Sequence, residues 1–128
     1  MKKTMFIMAV VLGVSLAFAL GAVQVMAGDV EPSYKADPAV YKVIAENEHF
    51  RVIISTWKPG QRDAMHSHEG PLAGYRLTDC NLKVYTPDGK SKAREAKAGE
   101  ALFNPVIAAH SVENVGASEC KLVIVEKK

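Results

Sequence analysis

The sequence has 128 residues, 48% of them hydrophobic and 23% charged, which fits a globular domain and excludes a disordered chain. Lys and Arg number 16 against 14 Asp and Glu, but Lys2 and Lys3 open an apolar leader, so the remainder is formally neutral. Basic and acidic residues are interspersed with no run of five like charges, so there is neither a basic face for nucleic acid nor a charged tail.

The leader comes first. Lys2 and Lys3 precede the uncharged stretch Met5 to Leu20, which ends among Gly21, Gln24 and Val25-Met26-Ala27. A positive start, an apolar middle and small residues before a cut are the parts of a secretory signal peptide, so residues 1–27 are expected to be removed after Ala27. The mature protein would then be periplasmic or secreted, with no hold on a membrane. An uncleaved anchor is the alternative, because Met5 to Ala27 is long enough to span a bilayer. Export also changes how Cys80 and Cys120 read: in an oxidising compartment they can pair, and otherwise they are two separately buried thiols.

Residues 28–48 hold Pro32, Ser33, Asp37 and Pro38 beside a short apolar set, Val40, Tyr41, Val43 and Ile44. They read as an extended lead-in with an edge strand or a helical turn. From residue 49 to 128 the pattern is strand and turn, a single domain. Phe50 to Trp57 is rich in β-branched and aromatic residues and stops at Lys58-Pro59-Gly60. Tyr75–Thr78 and Leu82–Thr86 are expected to form a hairpin across Asp79-Cys80-Asn81. Pro87-Asp88-Gly89-Lys90 is a turn in which Pro presets the backbone and Gly supplies positive φ. Ser91 to Lys97 is a polar edge strand whose lysines discourage association. Ala101-Leu102-Phe103, a strand before Gly116 carrying Val112 and Val115, and a closing strand from Cys120 to Val125 follow. Seven or eight short strands without a long amphipathic helix predict an all-β sandwich or barrel. Trp57, Phe103 and Tyr75 are expected in its core or lining, and Arg51 and Arg76 on its surface.

Chemistry concentrates in the histidines. On a strand, His66 and His68 share one face about 6.6 Å apart, with Ser67 on the other. Two imidazoles so placed can meet one metal ion. His110 is a third candidate, distant in sequence as a strand-built site requires. Asn114, four residues on, would share its face and orient it or hold a water. His49 lies among Glu46, Asn47, Glu48 and Arg51 and reads as a solvated histidine. No nucleophile elbow or phosphate loop occurs.

Gly60-x5-His66-x-His68 resembles the first signature of the cupins, and Gly99-x5-Pro105-x4-His110-x3-Asn114 resembles the second. The resemblance runs from about Phe50 to Lys128 and implies a jelly-roll β-barrel. It also implies a divalent metal held by His66, His68 and His110 in the barrel mouth, where cupins usually add one glutamate. Here Leu72 and Ala73 stand where that glutamate is expected, Glu69 points away by strand alternation, and Ile107 replaces a glycine of the second motif. Three neutral imidazoles suit Fe, Zn, Ni or Cu rather than Mg or Ca. Some cupins, the thiol dioxygenases among them, use three histidines for iron. In the implied arrangement, the strand ending near Cys80 lies beside the start of the last strand at Cys120, within reach of a disulfide.

Three function classes remain open. One is a metal-dependent enzyme of dioxygenase or isomerase type acting on a small molecule. The second is a non-catalytic module that binds a small molecule or a metal, and the third is a scaffold barrel with a vestigial site. A homodimer is compatible with each.

Overall fold

The computed structural model describes residues 30–128, so the leader lies outside the described residues. One helical turn, α1 (Ser33–Ala36), precedes nine strands: β1 (Tyr41–Glu46), β2 (Phe50–Trp57), β3 (His66–His68), β4 (Leu72–Arg76), β5 (Cys80–Tyr85), β6 (Ser91–Ala96), β7 (Ala101–Asn104), β8 (Ile107–Asn114) and β9 (Cys120–Lys127). They form two antiparallel sheets, one in the order β1-β2-β9-β4-β7 and the other β3-β8-β5-β6. The architecture is all-β, as the strand pattern predicts, and a jelly roll, as the resemblance implies.

Alternation builds the core. On β2, Arg51, Ile53, Ser55 and Trp57 point inward, and on β9 Cys120, Leu122, Ile124 and Glu126 do the same. The two strands pair so that Ile53 opposes Ile124, Trp57 opposes Cys120 and Arg51 opposes Glu126. Leu72 from β4, with Leu82 and Val112 from the facing sheet, completes a contiguous apolar centre. Each sheet thus turns one period-2 face inward, and burial of these side chains contributes roughly 1.5–3 kcal/mol apiece before entropy is charged against it. At one end of this centre the inward positions become polar: Arg51, His66, His68 and Glu126 are all buried.

The lead-in does contribute an edge strand and a helical turn, and Tyr41 at the start of β1 is buried in the core. β6 is the edge of the four-stranded sheet, with exposed side chains at five of its six positions. Gly60 and Gly89 adopt positive φ in the two turns where the sequence calls for it.

Three expectations are corrected. β4 and β5 do not form a hairpin: β4 pairs with β7 and β9, whereas β5 pairs with β6 and β8. The connection across Leu77–Asp79 therefore crosses between sheets, which adjacency in sequence does not reveal. Phe103 and Tyr75 are not core residues but are 81% and 51% exposed, because alternation on β7 and β4 turns them to the outer face. Arg51 and Arg76 occupy inward positions and are buried. Cys80 and Cys120 form a disulfide that ties the start of β5 to the start of β9, and so one sheet to the other.

Candidate metal centre

β3 and β8 run antiparallel with His66 directly opposite His110, and a register shift follows before His68 pairs with Ile107. Cross-strand pairing thus brings the distant His110 to the H-x-H pair. The ring centroids are 4.5 Å apart for His66 and His110, 5.1 Å for His66 and His68, and 5.2 Å for His68 and His110. One ring nitrogen from each lies within 4.8 Å of the other two. Ser67 points away, as alternation requires, and its hydroxyl donates to the Val30 carbonyl at 2.8 Å.

The surroundings fix the rings. His66 Nδ1 lies 2.9 Å from the Ala64 carbonyl, which only an N–H donor satisfies, so Nε2 is left with its lone pair. His68 Nδ1 lies 2.8 Å from Glu126 Oε2, and Glu126 is itself held by Arg51 at 3.4 Å. Such a carboxylate fixes the tautomer of a metal-binding histidine and raises its basicity. His110 Nε2 is buried and has no hydrogen-bond partner. Burial first, then the neighbouring His66 and His68, holds the His110 pKa down to about 3. Burial likewise lowers that of His66, against the pull of Asp63. His66 and His110 are therefore neutral at physiological pH, the state in which imidazole binds a metal.

Asp63 organises the wall behind His66. Its Oδ2 accepts from the Tyr41 hydroxyl at 2.7 Å and from Trp57 Nε1 at 3.0 Å, and its Oδ1 accepts from the Val112 amide at 2.6 Å. A fully buried carboxylate is thus satisfied by three donors. Burial, and then Asp63, raises the Tyr41 pKa well above its ordinary value, so the phenol keeps its proton. The Tyr41 oxygen lies 3.2 Å from His66 Nε2.

The remaining sequence candidates resolve as follows. Asn114 does not orient His110. Its amide donates to the Trp57 and Ser118 carbonyls and its Oδ1 accepts from the Gly116 amide, so it holds the β8–β9 turn. Glu69 points away from the histidines, as alternation predicts, and accepts from Arg51 at 3.1 Å. His49 is exposed beside Glu48. Sequence reasoning missed Tyr41, Asp63 and Glu126. The signal for Glu126 was present: it follows Leu122 and Ile124 at the period of an inward-facing strand.

His68 and His110 open on a cavity of about 500 Å³ between the sheets, lined further by Trp57, by apolar side chains and by basic residues that include Arg76. Two facing sheets with three histidines gathered at one end of the space between them are the arrangement of a cupin, and the chain belongs to the cupin superfamily. It shares a family with the beta-alanine degradation protein BauB of Pseudomonas aeruginosa, to which it is 32% identical over 83 residues, 63% of this chain and 86% of that protein. A cupin domain from Bordetella pertussis superposes with a TM-score of 0.64 at 26% identity, covering 70% of this chain and 92% of that one. A cupin from Methanocaldococcus jannaschii with a double-stranded β-helix fold gives a TM-score of 0.57 at 12% identity, covering 69% and 78%. No protein-family model matches the chain.

Proposed function

We propose that His66, His68 and His110 hold one divalent transition metal (Fe, Zn, Ni or Cu) and that the site acts on a small molecule in the adjoining cavity, as a metal-dependent enzyme of dioxygenase or isomerase type. The observation that carries this reading is His110 Nε2, buried without a hydrogen-bond partner within a cluster of three imidazoles. An orphaned buried polar atom costs about 1–3 kcal/mol, and a metal bond removes that cost. The donor set also fits. His66 and His68 each have Nδ1 engaged, which leaves Nε2 to face a metal, that of His66 beside the Tyr41 oxygen at 3.2 Å, and three nitrogen ligands would leave coordination positions open. A metal there would supply Lewis acidity or redox chemistry. The chain's own residues hold His66 and His110 neutral, keep Tyr41 protonated and present a pocket with an apolar lining and basic residues on its wall. BauB is described as a protein of beta-alanine degradation, which agrees with small-molecule work for its relative here.

Export belongs to the same proposal. The leader has the parts of a signal peptide, and the Cys80–Cys120 bridge suits an oxidising compartment such as the periplasm. N-terminal sequencing of exported protein should begin near Gly28; material starting at Met1 would mean an anchor instead.

Metal analysis of protein purified from its native compartment tests the central claim. Stoichiometric Fe is expected for oxygen chemistry, and Zn or Ni for an isomerase-type or hydrolytic role. His110→Ala should lower the metal content while the fold persists. Absence of any bound metal would overturn the reading in favour of a scaffold.

A further inference from the structure

Arg76 is a buried charge on the cavity wall that the metal site does not explain. It is only 5% exposed, and its Nη1 is buried with no hydrogen-bond partner. Arg51, the other inward arginine, is consumed by Glu46, Glu69 and Glu126. Among the described residues no ion pair includes Arg76. Burial, and then Arg94, lowers its pKa, with Glu100 the opposing influence. A guanidinium cannot shed its proton at physiological pH, so one whose Nη1 is buried without a partner is suited to receive an anion from elsewhere.

The cavity is built to bring one. No Asp or Glu lines it, while Lys90, Lys92 and Arg94 from the β6 side join Arg76 on its wall. Leu82, Val84, Leu122 and Ile124 supply an apolar lining. β4 sets the spacing. Leu72 pairs with Glu126, behind His68, and Arg76 stands four residues further along, roughly 13 Å at the rise of a strand. A molecule bridging the two ends therefore needs an apolar body with an anionic group at one end.

We infer that Arg76 is the receptor for the carboxylate of a small organic acid whose apolar body fills this cavity and whose other end faces His68 and His110. The guanidinium fork matches a carboxylate with two parallel hydrogen bonds, which fixes the molecule's direction in the cavity. From the proposed function this takes only that the cavity is the substrate site; the anion preference belongs to Arg76 and not to the metal. Glu95 and Glu100 lie with Arg76 and Arg94 in a smaller neighbouring cavity of about 310 Å³, so Arg76 stands on the wall between the two.

Hexanoate and hexan-1-ol are the probes, with Trp57, the single tryptophan and a cavity residue, as the fluorescent reporter and calorimetry as the check. The full-length mature protein should bind hexanoate at least about tenfold more tightly than hexan-1-ol, the order expected for hydrogen bonds to a charged group. That preference should persist after chelation of metal. It should vanish in Arg76→Met and be partly retained in Arg76→Lys, with thermal melts establishing that each is folded. Equal binding of the two probes by the unsubstituted protein overturns the assignment, and that comparison needs no variant. So does a preference that survives in folded Arg76→Met, or one that disappears on chelation. Metal content of the same samples tests the three-histidine reading separately, because Arg76→Met should leave it unchanged.

Discussion

Glu126 Oε2 lies 2.8 Å from His68 Nδ1, so a carboxylate does serve this histidine cluster, from behind the ring rather than beside the ligand nitrogens. The usual cupin glutamate would add a charge to the metal. Glu126 instead acts through His68, and Arg51 opposite it on β2 balances its own charge. The arrangement keeps the cavity face of the site free of acid, which matters if the molecule it receives is itself anionic.

Glu126→Gln should weaken metal binding by about 10–100-fold while leaving all three histidines in place. The amide still accepts from His68 Nδ1–H but no longer raises the basicity of the ring. Competition with a chelator of known affinity gives the ratio. An unchanged affinity would show that Glu126 serves only to neutralise Arg51.

Gly70 is the close approach that lets β3 turn into β4. A Cβ built there would overlap the Lys127 carbonyl oxygen, which is backbone and cannot swing aside. Gly70→Ala should therefore cost on the order of 1–3 kcal/mol, as overpacking does. Because Lys127 follows Glu126 and Gly70 follows His68 by two residues, the displacement should also loosen the His68–Glu126 pair. Urea titration and metal content are expected to fall together. A fall in stability with metal binding intact would show that the two are mechanically separate.

Acid should destabilise the metal-free protein before its carboxylates titrate. In the folded state His110 is held near 3 and His66 is lowered, each by burial first. Unfolded, both return to about 6.5. The neutral forms are thus favoured by folding: their contribution is complete above about pH 6.5 and is lost as pH falls toward the folded values. Below 6.5 the unfolded chain binds the extra protons, a slope of up to about 1.4 kcal/mol per pH unit for each histidine. The urea midpoint should fall between pH 7 and pH 5, and less so in His110→Gln. A flat midpoint over that range would contradict the assignment of neutral buried rings.

The clustering of the three histidines was legible in the sequence because their spacing is a local property: His66 and His68 share a face by strand periodicity, and His110 sits in a second motif of its own. What was hidden depends on pairing between distant strands. Arg51 looked like a surface arginine because nothing nearby in sequence announces that β2 will align it with Glu126. Asn114 fits a ligand-orienting position by alternation, yet the turn to β9 claims its amide first. The supposed β4–β5 hairpin failed for a related reason. A three-residue connection can close a hairpin or cross between sheets, and the choice is made by β9, which occupies the place beside β4.

The Cys80–Cys120 bridge joins the two sheets at the end that carries Arg76 rather than the end that carries the histidines, since Cys120 begins the strand on which Leu122 pairs with Arg76 and Glu126 lies six residues on. Its partners are 40 residues apart in sequence. On the chain-entropy model, closing a loop of that size constrains the unfolded state by about 3–4 kcal/mol. Small domains have a net stability of only ~5–15 kcal/mol, so a double replacement Cys80→Ser, Cys120→Ser should remove a large share of it. The loss should appear mainly as a lower urea midpoint with a changed slope, because an unbridged chain exposes more surface when unfolded. Metal content per folded molecule should be unaffected, since neither cysteine touches a histidine of the site. Mass spectrometry of the unreduced protein must show no free thiol in the parent for this comparison to hold. Two alkylatable thiols under denaturing conditions would mean that the sheets are held by packing alone.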